Sequence, residues 1–141
     1  MKILFTLLLS ISFTWAKLPE WRVDRDHSYI GFDVSYLSLG IVRGRFDKFA
    51  GKIVFDPNNL KDKKQVSRFK FSAIIAADSI HTGVLKRDLH LKSPDFFNTA
   101  IAAHKKIIFT SNEVKTHNGK RFEIIGNLKA NNVSKKMKVV L

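Results

Sequence analysis

The chain of 141 residues contains no cysteine, and it has only three prolines and seven glycines. The absence of cysteine excludes disulfides, thiol catalysis, cysteine metal sites and lipoprotein anchoring, so stability must come from packing. The sequence also lacks a Gly-x-Ser-x-Gly motif and a glycine-rich phosphate loop, and its carboxylates do not cluster as an acid and base pair. We therefore expect no enzymatic activity and no cofactor.

The histidines are too dispersed to form a recognisable metal site. No two of them stand four residues apart as on one helix face, and no cysteine is available to complete a tetrahedral site. We predict no metal centre. The five are His27, His81, His90, His104 and His117.

Acidic residues are scarce: there are 12, against 25 lysines and arginines, which gives a formal net charge of +13. Such an excess of positive charge attracts anionic surfaces. The basic residues are scattered over most of the chain, whereas a nucleic-acid module concentrates them on one face or interleaves them with exposed aromatics. We expect attraction to an anionic membrane surface and no nucleic-acid partner.

The chain has one long apolar run, and it lies at the N-terminus. Lys2 precedes residues 3–13, which are apolar except for Thr6, Ser10 and Ser12, and Thr14-Trp15-Ala16 follows. This pattern predicts a signal peptide over residues 1–16, cleaved after Ala16, and export of a single domain over 17–141. The alternatives are an uncleaved anchor or a buried strand. Losing Lys2 would lower the net charge to +12.

Alternation with period two recurs in most of the remaining chain and indicates half-buried strands. It predicts about seven antiparallel strands joined by short turns, in an up-and-down order. Between residues 41 and 55 the apolar parity changes, which a bulge near Asp47-Lys48 would explain. In the later strand 107–114, Ile107 and Phe109 are predicted on one face and Val114 on the other. Asn131-Asn132 marks a turn.

A short helical insert interrupts the strands around 83–97. Leu85 and Leu89 stand four residues apart, which is the spacing of one helix face. Ser93 suits an N-cap and Pro94 a first helical position, so a second short turn of helix is predicted to begin there.

Several blocks of the sequence are similar to one known family. The blocks are Trp21-x-x-Asp24-x-x-His27-Ser28, Gly44-x-Phe46-x-x-Phe49-x-Gly51, Asp78-Ser79-Ile80, Phe109-x-Ser111, Gly126-x-Leu128 and Val133-Ser134-Lys135. Their order and spacing resemble the YceI-like family of periplasmic polyisoprenoid-binding proteins across nearly all of the predicted mature chain. The resemblance implies an antiparallel lipocalin-like barrel in the periplasm that carries an isoprenoid lipid without catalysis.

The end of the chain departs from the family pattern. Related proteins continue past the equivalent of Leu141 by further strands, which leads us to expect a C-terminally shortened chain or an incompletely closed barrel. An open seam would expose strand edges and invite homodimerisation. Asn132 also stands where the family usually has glycine, and asparagine tolerates the left-handed backbone.

Twelve phenylalanines, mostly at inward parity, suit either a dense core or the wall of a ligand tunnel. The residues alone leave both interpretations open, and the resemblance favours the tunnel. We predict that eight residues line the interior: Phe32, Val34, Phe46, Phe71, Ile75, Phe97, Phe109 and Ile124.

A lipid head group would need cations at the mouth of the barrel. The candidates are Lys86, Arg87 and Lys92; the alternative is that all three are ordinary surface charges and that Arg87 pairs with a nearby carboxylate. Asp88 is expected to be half-buried and to hold the insert by hydrogen bonds. A different class of function stays open, namely a basic interaction module with a packed core that binds an anionic membrane surface or an acidic partner.

Overall fold

The computed structural model describes residues 17–37, 40–59, 66, 68–117 and 121–140. The predicted signal peptide over residues 1–16 lies outside this part of the chain. Within it, no helix is long and apolar enough to cross a membrane.

The described residues form nine strands in two antiparallel sheets. The larger sheet has the order β1-β4-β5-β7-β8-β9 and the smaller one β2-β3-β6. Antiparallel β structure was predicted correctly, but the short strands β1 and β6 were not anticipated. The strands are β1 (Glu20–Arg22), β2 (Gly31–Tyr36), β3 (Gly40–Phe46), β4 (Phe49–Val54), β5 (Lys70–Ala76), β6 (Ile80–His81), β7 (Lys106–His117), β8 (Arg121–Ala130) and β9 (Val133–Val140).

The up-and-down order holds only in part. Strands that are consecutive in the chain pair in β2–β3, β4–β5, β7–β8 and β8–β9, whereas β1 pairs with β4, β3 with β6 and β5 with β7. Among the described strands, β2 of the smaller sheet and β9 of the larger sheet each have one neighbour. The two sheets therefore do not close into a barrel.

The chain changes sheet at Asp47-Lys48, where β3 ends and β4 begins. The predicted bulge within one strand is therefore wrong, and a corner between two sheets accounts for the parity change. Backbone hydrogen bonds fix this corner: Asp47 N donates to Ser79 O at 3.1 Å and Ala76 N donates to Lys48 O at 2.9 Å. The Ser79 hydroxyl adds to them by accepting from Lys48 N at 3.0 Å.

A bulge occurs in β7 instead, where the register against β8 shifts between Ser111 and Glu113. The shift turns Val114 inward, and it is buried in the same cluster as Phe109. The prediction that Val114 lies on the opposite face was therefore wrong, because an extra residue reverses the alternation. Ser111 is buried at this point, and its hydroxyl accepts a hydrogen bond from Phe71 N at 2.8 Å.

The helical insert is shorter than predicted. Helix α1 spans Leu85–Lys92, and residues 94–97 form turns rather than a second helix. Ser93 follows the last helical residue and its N–H donates to His90 O, so it ends α1 and does not begin another helix. The N–H of Phe97 donates to Leu91 O at 3.0 Å and holds this turn against the helix.

Candidate functional site

The inner faces of the two sheets form two apolar clusters. The first is built on Val66, Phe69, Ala73, Phe109, Val114 and Ile124, and the second on Phe46, Ile75, Ala77, Ile80 and Ile107. Leu128 of β8 is packed against both clusters and connects them. Together they make one apolar interior that extends from β4 towards α1.

The predicted lining residues are distributed over both clusters. Phe71, Phe109 and Ile124 belong to or pack against the first, and Ile124 is fully buried at 0% exposure. The second includes Phe32, Phe46, Ile75 and Phe97. Phe32, Phe71 and Phe97 are only half-buried.

Val34 is placed differently from the other seven. Its side chain is 54% exposed, because it lies on β2, an edge strand of the smaller sheet among the described residues. It faces Val42 of β3 across the strand pair, so it extends the apolar face beyond the covered interior.

The interior phenylalanine rings contact one another in separate groups. Phe46 bridges Phe32 and Phe97, with ring centroids 5.5 and 6.1 Å apart. Phe71 and Phe109 form a second group at 5.8 Å. Such edge and tilted contacts are favourable arrangements for aromatic pairs.

A glycine in β8 allows one of these rings to approach the backbone. A Cβ at Gly126 would lie 2.5 Å from Phe109 Cζ and would also clash with the carbonyl oxygen of Thr110. Only glycine fits here, which explains the Gly126-x-Leu128 block in physical terms.

The cations near α1 differ in their freedom to bind a head group. Arg87 Nε donates to Thr82 Oγ1 at 2.8 Å and Arg87 Nη2 donates to Thr82 O at 2.9 Å. These two bonds hold the guanidinium beside Thr82. The head-group role of the three cations stays a prediction. Lys86 is exposed and Lys92 is half-buried.

Asp88 is buried at 5% exposure, deeper than expected, and it holds the insert as predicted. Its Oδ1 accepts hydrogen bonds from Thr82 N at 2.9 Å and from Thr82 Oγ1 at 2.6 Å. Thr82 thus connects Asp88 to Arg87. No pattern in the sequence indicates this role, because a lone threonine before a helix has many uses.

The Trp21-x-x-Asp24-x-x-His27 block is structural. Trp21 Nε1 donates to Phe55 O at 3.3 Å, and His27 Nδ1 lies 2.7 Å from Asp24 Oδ2. The hydrogen bond from His27, followed by that from Asp26 N, lowers the pKa of the Asp24 carboxyl. His27 therefore orders a turn before β2.

Two surface concavities are lined by residues other than the predicted ones. One of ≈ 420 Å³ is bordered by Arg121, Glu123, Lys138 and Val140, and the other, of ≈ 310 Å³, includes Lys106 and Ile108. In the described part of the chain, no group of three or more histidine, aspartate or glutamate side chains is arranged to hold a metal ion.

Comparison with solved structures identifies the fold. BcnA of Burkholderia cenocepacia matches with a TM-score of 0.69 at 19% identity, over 84% of this chain and 69% of BcnA. A polyisoprenoid binding domain from Saccharophagus degradans matches with a TM-score of 0.61 at 18% identity, over 89% of this chain and 67% of that domain. These neighbours confirm the lipocalin-like antiparallel fold, which here is not closed.

Comparison with curated sequences gives relatives of greater length. A UPF0312 protein of Pectobacterium carotovorum is 34% identical over 126 residues, which cover 88% of this chain and 61% of that protein. Protein YceI of Salmonella newport is 33% identical over 132 residues, covering 91% and 64%. The chain thus spans about three-fifths of the length of these relatives. A model of the YceI-like domain matches residues 21–141, and the chain therefore belongs to the YceI-like family.

Proposed function

We propose that this chain binds an isoprenoid lipid in the apolar interior between its two sheets and carries it without catalysis in the periplasm. One observation carries the proposal: the interior is apolar along its length, and several of its phenylalanines are only half-buried. Phe32, Phe71 and Phe97 pack on the core and retain exposed ring surface. Hydrocarbon laid against these rings would remove that surface from water.

The chemistry of the described interior favours binding over reaction. Its buried polar side chains are Asp88 and Ser111, and both are occupied by hydrogen bonds that hold the fold. A prenyl chain needs no directed contacts, since each buried methylene contributes about 0.8 kcal/mol. Ten such carbons would give roughly 8 kcal/mol of gross attraction, which corresponds to a micromolar dissociation constant before ordering costs.

The lipid-binding proposal is tested by organic extraction and native mass spectrometry of the exported protein. We expect a prenyl compound in the extract, saturable binding of added geranylgeraniol, and a chain that begins at Lys17. Saturable binding of a saturated fatty acid in preference to geranylgeraniol, or clean extracts with no binding, would contradict the proposal. A mass that retains residues 1–16 would contradict the export step alone.

Two variants locate the site. Replacing the half-buried Phe32 by alanine removes wall surface and should weaken geranylgeraniol binding about tenfold, the equivalent of ~1.4 kcal/mol. Ile74→Ala is the control, since Ile74 is an exposed residue of β5 next to the buried Ile75. Equal effects of the two substitutions would place the ligand elsewhere.

A second candidate is favoured by the ring contacts within the interior. If Phe32, Phe46 and Phe97 fill the space themselves, the chain is a packed basic module that binds an anionic membrane surface or an acidic partner. Salt-sensitive binding to anionic vesicles by protein that contains no lipid would favour this candidate.

A further inference from the structure

Helix α1 presents its leucines to solvent and buries its carboxylate. Leu85 is 74% exposed and Leu89 is 59% exposed, whereas Asp88 is buried. This is the reverse of an ordinary surface helix, in which the leucine stripe faces the core. Exposed large apolar side chains that form a group indicate a binding surface.

The rotation of α1 about its axis is fixed by hydrogen bonds. Asp88 accepts from Thr82, which also accepts from Arg87, so these two helical residues must face the body of the protein. Leu91 lies on the same side and packs on the second apolar cluster. Leu85 and Leu89 are therefore held outward and cannot turn in without breaking this network.

The exposed surface around these leucines is apolar and includes one lysine. We define the docking face as Val84, Leu85, Lys86, Leu89, His90 and Phe96, all of which are exposed. Phe96 joins it through His90, whose ring lies 5.0 Å from the Phe96 ring. The carboxylate next to the face is Asp95, whose Oδ2 lies 3.5 Å from His90 Nε2.

We propose that the docking face inserts into the head-group region of an anionic phospholipid bilayer. Leucines and a phenylalanine beside lysine are the composition that anchors a helix in this region, and the net charge, +12 after loss of Lys2, adds long-range attraction. A second copy of the chain fits less well, since it would bring two Lys86 side chains together.

Because Leu91 contacts the interior from the opposite side of α1, docking would place one end of the interior at the membrane. This last step rests on the proposed lipid-binding function.

The test is flotation of the exported protein with vesicles. We expect binding to vesicles of phosphatidylglycerol and phosphatidylethanolamine, little binding to phosphatidylcholine vesicles, and weakening at high salt. The double variant L85N/L89N should bind on the order of tenfold less. The matched control is I74N/V133N, which replaces two exposed apolar residues on strands. Equal binding by the two variants would overturn the proposal.

A charge variant keeps the test decisive if L85N/L89N folds poorly. K86E should weaken binding severalfold more than K136E, which makes the same charge change on exposed β9. Equal weakening by the two would show that net charge alone acts and would overturn the docking face. Self-association that L85N/L89N abolishes, without vesicle binding, would also overturn it and assign the face to a second copy.

Lipid extraction separates this proposal from the proposed function. If L85N/L89N retains its prenyl compound but does not float, docking and lipid binding are independent properties and both stand. If wild-type protein floats through the docking face but contains no prenyl compound and binds no geranylgeraniol, docking stands and the lipid-binding proposal fails.

Discussion

Thr82 is the residue on which the placement of α1 depends. Its N–H and hydroxyl both donate to Asp88, and its hydroxyl and carbonyl oxygens accept from Arg87. It therefore satisfies a buried carboxylate and orients a guanidinium at the same time. Buried polar groups that lose a partner cost the full desolvation of that group.

Thr82→Val removes the hydroxyl and keeps the shape of the side chain. Asp88 would retain only the bond from Thr82 N, and Arg87 Nε would lose its acceptor. We expect the free energy of unfolding to fall by about 1–3 kcal/mol in urea denaturation. The control is Thr110→Val at an exposed position of β7, which should change it by less than about 0.5 kcal/mol. Equal losses in the two variants would rule out a special role for Thr82.

At the scale of elements, the turn between β8 and β9 requires an unusual backbone. Asn131 and Asn132 both have positive φ, 47° and 63°, and they are the two residues of a tight hairpin between Ala130 and Val133. Turns of this kind match the twist of the strands and favour glycine at the second position. The predicted turn is confirmed, and asparagine adopts the geometry at a cost that glycine would avoid.

Asn132→Gly should therefore stabilise the chain. We expect the free energy of unfolding to rise by several tenths to about 1 kcal/mol, because glycine adopts positive φ without strain. The same substitution at exposed Asn127, inside β8, should lower it by about 0.5–1 kcal/mol through lost backbone entropy. A loss of stability in both variants would show that the Asn132 side chain matters more than its backbone.

Sequence predicts the inward face of a strand correctly where apolar and polar side chains alternate along a strand that stays in one sheet. Phe69, Ala73 and Ile75 are buried as their parity requires, and so are Ile124 and Gly126. Alternation holds there because each side chain of a strand simply points to one of two faces.

Other features depended on contacts that local patterns do not contain. The bulge that turns Val114 inward depends on register against β8, and the outward rotation of Leu85 and Leu89 depends on hydrogen bonds to Thr82. The eight lining residues remain a prediction, since the burial of a side chain does not reveal whether a ligand fits beside it.

At the scale of the whole molecule, four of the described strands lie at a sheet edge: β1 and β9 in the larger sheet, and β2 and β6 in the smaller one. β9 lies at the edge of the larger sheet among the described strands, with exposed apolar side chains at Val133, Met137 and Val140. An unpaired edge can bind the edge of another copy, and lysines along it oppose that pairing. Lys135 and Lys136 are exposed on this strand.

Removing these charges should favour association between copies. We expect K135T/K136T to form dimers or larger species at lower protein concentration than wild type in sedimentation velocity, because the edge loses its like-charge repulsion and gains β-forming residues. K48T/K105T lowers the net charge equally at exposed positions away from β9. If both variants associate alike, overall charge rather than edge protection keeps the chains apart. If only K135T/K136T associates, the open edge of β9 is the route to the homodimer expected from the sequence, and its lysines are what restrain it.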